Sequence, residues 1–164
     1  MDRLDKLTII SVFVMLLYGS FLLITAADQP RMDRNEKRKQ LAHQYMVSPE
    51  LDSKIKLAAN LMIQGNLEKT ESLVKSLITE FPYEGKLYML KGDIMMRRQQ
   101  PVAAMYEYKE AIELNPDFLD KKTELFQGKK IKVTVEEAMA AIQSGLQKQP
   151  DNGKLKDDRE MVYF

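Results

Sequence analysis

The chain has 164 residues, with 25 Lys and Arg against 24 Asp and Glu, a formal charge of +1 at pH 7 and no cysteine. A polyanion binder carries a clear basic excess or stripe, so this balance argues against nucleic acid as a partner. The absence of cysteine removes disulfides, thiolate metal sites and thiol nucleophiles, and the length bounds the chain at one domain plus an appendage.

The appendage comes first. Residues 1–6 form a short charged tail, and residues 7–27 (LTIISVFVMLLYGSFLLITAA) contain no charged side chain. At about 1.5 Å per residue a helix of that length crosses a hydrocarbon core of roughly 30 Å, and helix is the form in which one segment satisfies its own backbone there. A transmembrane helix over 7–27 is therefore expected, bracketed by Asp2, Arg3, Asp5 and Lys6 and by Asp28 and Arg31. A cleaved signal peptide ending near Thr25-Ala26-Ala27 is the alternative, but secretory apolar cores run only about 7–15 residues. A buried core helix is a third option that leaves no polar face for water. Arg31, Arg34, Lys37, Arg38 and Lys39 come after the span, against Arg3 and Lys6 before it. That bias places a single-pass protein in the cell (inner) membrane with its large domain on the cytoplasmic side. A periplasmic domain stays open, because a lone N-terminal span often exports the domain behind it.

Residues 28–50 read as a charged juxtamembrane linker or helix with apolar points at Leu41, Tyr45 and Met46. Its basic cluster either rests on anionic headgroups, at about 1 kcal/mol per cation, or is a solvated spacer. Pro49 interrupts it.

From 51 onward apolar residues recur at helical spacing in paired segments, and Pro82, Pro116 and Pro150 stand 34 residues apart, each closing a pair. The pair at 51–84 carries Ile55, Leu57, Ala58, Leu61 and Met62, then Leu67, Leu73, Val74, Leu77 and Ile78. Gly65-Asn66 marks its turn, with Gly for left-handed backbone and Asn to cap the incoming amides. The pair at 85–118 carries Leu87, Tyr88, Leu90, Ile94 and Met95, then Ala104, Met105, Tyr108, Ala111 and Ile112. Pro101 occupies a favoured first helical position.

The pair at 119–150 is less regular. Phe118, Leu119, Leu125 and Phe126 predict a first helix, and the β-branched stretch 128–135 predicts a loop or frayed end. Thr134 with Glu137 predicts a capping box that opens a final helix through Ala138, Met139, Ile142 and Leu146. Residues 151–164 predict a charged capping helix, the polar outer face that a repeat stack needs.

The middle pair resembles a tetratricopeptide repeat. That family's pattern sets a large aromatic and a small residue on the first helix, alanines and an aromatic on the second, and a closing proline. Tyr88, Gly92, Ala104, Tyr108, Ala111 and Pro116 stand at those positions. The first pair keeps Leu57, Ala58, Gly65 and Pro82, with Lys54 for the aromatic and Thr70 for an alanine. The third keeps Ala138, Gly145 and Pro150, with Phe126 where a small residue belongs. The resemblance covers about 51–150, the three units such repeats need to bury their faces. It implies an all-α chain: an N-terminal transmembrane helix followed by a short α-solenoid of about three helix-turn-helix units. An ordinary helical bundle with coincidental prolines is the competing reading.

By the resemblance, the first helices line a partner-binding groove, to which Ile55, Ala59, Met62 and Ile63 contribute from the first unit. Met89, Asp93, Met96 and Arg97 contribute from the second. The result is an apolar trough with a charged pair at its side, suited to an amphipathic helix or extended segment of another protein. If a neighbouring helix folds over the trough, the same side chains become plain core. The lysine and asparagine set with which some members clamp a terminal carboxylate is missing from this surface. Anchored members of the family suggest a scaffold in envelope biogenesis, such as cytochrome c maturation or lipopolysaccharide assembly. A permanently docked accessory subunit of a larger membrane complex is the alternative. His43, the only histidine, has no ligand-spaced partner, and no nucleophile–base pair or glycine-rich phosphate loop is present. No metal, cofactor or enzymatic activity is expected.

Overall fold

The computed structural model describes residues 49–163. The expected tail, the span at 7–27, most of the basic linker and Phe164 lie outside the described residues. No helix among the described residues is long and apolar enough to cross a membrane. They fold as α1 (Pro49–Ile63), α2 (Leu67–Glu80), α3 (Gly85–Arg97), α4 (Pro101–Leu114), a 3-10 turn (Pro116–Phe118), α5 (Gly128–Lys148) and α6 (Gly153–Val162), without strands.

The turn between α1 and α2 agrees with the sequence expectation at Gly65 and departs from it at Asn66. Gly65 takes φ 80°, where a side chain would be strained. Its N–H donates to the Met62 carbonyl and the Asn66 N–H to the Leu61 carbonyl, which satisfies the last carbonyls of α1. Asn66 gives no side-chain cap to α2; its amide donates to Gln64 Oε1 instead. The α3 start is capped by Glu84, whose carboxylate accepts from the Lys86 N–H at 3.0 Å. Pro101 opens α4 as its ring geometry favours.

The α3–α4 hairpin is closed by one close approach. A Cβ built on Gly92 would lie 2.3 Å from the Tyr108 ring, so only glycine lets the phenol lie flat against the α3 backbone. Ala104 and Ala111 are fully buried on the same face of α4. Ala58, on α1, stands one period before Gly92 and is buried in a cluster with Val74, Leu90 and Ile94. Two main clusters result: one joins α1, α2 and α3, the other α3, α4, α5 and α6. Helix α3 serves both, with Leu90 and Ile94 on one side and Met89 on the other.

The third pair departs from expectation at each element. No α-helix spans Phe118–Phe126; the 3-10 turn is followed by irregular chain held by the Gln127 N–H donating to the Phe118 carbonyl at 2.7 Å. Thr123 Oγ1 ties the same stretch to the Asp117 and Asp120 carbonyls. The stretch 128–135 is the first part of α5, not a loop, and Thr134 lies inside that helix instead of capping one. Tertiary burial overrides the weak propensity of its β-branched residues. Ile131, Thr134, Ala138 and Ile142 share one helix face and are buried. The Thr134 hydroxyl donates back to the Lys130 carbonyl at 3.1 Å, so its polar atom is satisfied. After a turn capped by Asn152, α6 packs on α5 where Gly145 meets Leu155.

Candidate functional site

Helix α3 is enclosed on most sides, with Leu87, Met89, Leu90, Gly92 and Ile94 buried. The stripe Asp93, Met96 and Arg97 stays open, spaced i, i+3 and i+4, and therefore on one face. That stripe forms the middle of an open pocket of about 420 Å³. Met62 from α1 lies to one side, Lys130, Val133 and Thr134 from α5 to the other, and Tyr108 from α4 at the base.

Four of the eight sequence-predicted groove residues therefore come together: Met62, Asp93, Met96 and Arg97. The other four are placed elsewhere. Met89 is 5% exposed, in the cluster that contains Phe118 and Ile131. Ile55 and Ala59 pack, half-buried, against the α1–α3 cluster. Ile63, at the last residue of α1, is 74% exposed and outside the pocket lining. Met62 is itself only 8% exposed, so it forms the pocket wall more than its open surface, whereas Val133 is 51% exposed. Lys130, Val133 and Thr134 escape sequence reasoning because their β-branched surroundings read as a loop. The signal that finds them is the helical spacing of Ile131, Thr134, Ala138 and Ile142.

A polar triad fastens the pocket's base. The Tyr108 hydroxyl donates to Asp93 Oδ1 at 2.6 Å. The Lys130 ammonium donates to Asp93 Oδ1 and Oδ2 at 2.8 and 2.9 Å. It also sits 5.8 Å from the Tyr108 ring centre, within cation–π range. Burial, and then the hydrogen bond to the Asp93 carboxylate, push the Tyr108 phenol far above its ordinary range. The phenol is thus a neutral donor across the physiological range, and the triad joins α3, α4 and α5. Arg97 forms no ion pair with a carboxylate among the described residues, while its neighbour Arg98 pairs with Glu71 on α2. No group of His, Cys, Asp and Glu among the described residues is placed to hold a metal ion.

No family model matches this chain, and neither a curated protein nor a solved structure shows significant similarity to it.

Proposed function

We propose that the chain is a membrane-anchored adaptor or scaffold of the tetratricopeptide-repeat type. It binds other proteins in the groove between α1, α3 and α5, while the span at 7–27 holds that groove at the bilayer. Tethering raises the effective concentration of a partner at the membrane without any new contact. The observation that carries the reading is the composition of the pocket. Helices α1, α3 and α5 contribute its walls, and Met96 and Val133 leave apolar surface open beside a fixed polar triad. Methionine suits such a surface because its side chain adapts to different partners.

The test is purification of the full chain in mild detergent and identification of the proteins that come with it, before and after Met96→Glu and Val133→Glu. Val133 is exposed and Met96 half-buried at the edge of the α3–α6 cluster, so Val133→Glu carries the test if Met96→Glu fails to fold. Soluble clients that are lost from both variants support the adaptor. A stoichiometric set of integral subunits retained by both variants replaces it with the docked-subunit reading.

A further inference from the structure

The groove's chemistry narrows the class of partner; this step rests on the groove being a binding site. All eight residues that line it lie inside helices: Met62 on α1; Asp93, Met96 and Arg97 on α3; Tyr108 on α4; Lys130, Val133 and Thr134 on α5. Apart from the Lys130 amide in the first turn of α5 and the Arg97 carbonyl at the end of α3, the backbone groups of these residues are bonded along the chain, so the walls offer no continuous main-chain edge to an incoming strand. An extended segment would find no ladder of backbone hydrogen bonds here and would cover most of its own polar groups with apolar surface. A helix satisfies its backbone internally and places apolar anchors at i, i+3 and i+4 on one side.

Charge supplies the second constraint. Of the three formally charged side chains in the lining, Asp93 and Lys130 neutralise each other, and Asp93 also accepts from Tyr108. Arg97 is left over, exposed at the end of α3 beside Met96, with no carboxylate partner among the described residues. The groove therefore sets the open apolar surface of Met96 and Val133 beside a net positive rim.

We infer that the partner segment is an acidic amphipathic helix whose apolar face covers Met96 and Val133 and whose flanking carboxylate meets Arg97. This is recognition of a side-chain carboxylate beside an apolar stripe, so it does not require a chain terminus.

The experiment uses three synthetic amphipathic helices with one Leu/Met face and Glu, Gln or Lys at the flanking position. Binding to the detergent-solubilised full chain is measured by fluorescence anisotropy, at low and high salt. The expected order is Glu, then Gln, then Lys, with about fivefold between the extremes, the scale of a partly exposed ion pair. The gap should narrow in high salt. Arg97→Glu should invert the order of the Glu and Lys peptides, and that inversion separates groove binding from peptide adsorbed to micelles. Arg97→Gln, which keeps a hydrogen-bonding group of similar shape, should flatten the order. Equal binding of the three peptides, abolished by Met96→Glu but indifferent to Arg97→Glu, overturns the acidic partner and leaves the groove standing. Binding that survives Met96→Glu and Val133→Glu overturns both readings. Failure of every peptide to bind, while clients still co-purify through the groove, overturns the helical partner alone.

Discussion

The α3–α4 hairpin and the chain from 115 to 148 share one repeat phase in sequence and fold differently. In the hairpin, Gly92 admits the Tyr108 ring against its backbone, so two helices joined by a short turn close on each other. One period later that position is Phe126, and a phenyl ring leaves no room for the same approach. Phe126 lies instead against Gly128, where a Cβ would come within 2.4 Å of its ring, as the chain turns into α5. The positions that the period assigns to the second helix, Ala138 and Ile142, are still fully buried. The helix that carries them begins earlier and packs directly on α4 through Ile131, Thr134, Ala138 and Ile142. The period decides which residues are buried; the size of one side chain decides which element delivers them.

The sharpest way to break this comparison is at the anchored part of α5. Ile142→Ala removes a fully buried side chain and should cost about 2–5 kcal/mol in urea unfolding. A loss near zero would mean that α5 is not bound to α4 as described. Gly92→Ala comes next, since the added methyl must displace a rigid buried ring; about 1–3 kcal/mol is expected by the same measurement. The two halves of α5 can then be told apart. Lys130→Met removes the partner of Asp93, a partly exposed pair whose net worth is about 1 kcal/mol or less. Its signature is local: faster amide exchange over 128–135 with the 138–148 amides unchanged. Uniform exchange along α5 would show that the ion pair does not hold its first turns.

A smaller effect separates the polar links around α3 by their pH dependence. The hydrogen bond from Lys86, then that from Lys56, holds Asp52 below its ordinary value, so its contribution is present above about pH 4 and lost as pH falls through the lowered value. Glu84 runs the other way. Burial raises it despite the bond from the Lys86 N–H, so its contribution is full below about pH 4 and lost as pH rises through the raised value. Glu84→Gln keeps an oxygen for that N–H and should raise the melting temperature at pH 7 relative to pH 4; an unchanged difference between the two pH values would contradict it. Least of all is Gln99→Gly. Gln99 holds φ 57° after α3, and glycine there should add about 0.5 kcal/mol, read as a small rise in melting temperature.

The groove is legible where helical spacing in the sequence and exposure in the fold agree. Asp93, Met96 and Arg97 form a stripe that any helix over this stretch must present on one face. Met89 belongs to the same stripe and is lost from the groove, because the chain beyond α4 returns over that end of α3 and buries it. Asn66 illustrates the same limit at a turn: its type suits a cap, but its side chain bonds Gln64 and leaves the α2 amides uncapped.

By itself the sequence determined that the described chain is helical, that its helices fall in phased pairs from 51 to 114, that Gly65 supplies left-handed backbone at a turn and that a small residue stands at Gly92. These are local matters of period, propensity and backbone freedom, written in neighbouring residues. Only the tertiary structure decided that 128–135 is helix and that Lys130 reaches Asp93 across 37 positions. It likewise decided that the groove's third wall comes from α5. Those outcomes depend on burial against α4 and on an ion pair between distant residues, and neither is encoded in the local pattern that a β-branched, lysine-rich stretch displays.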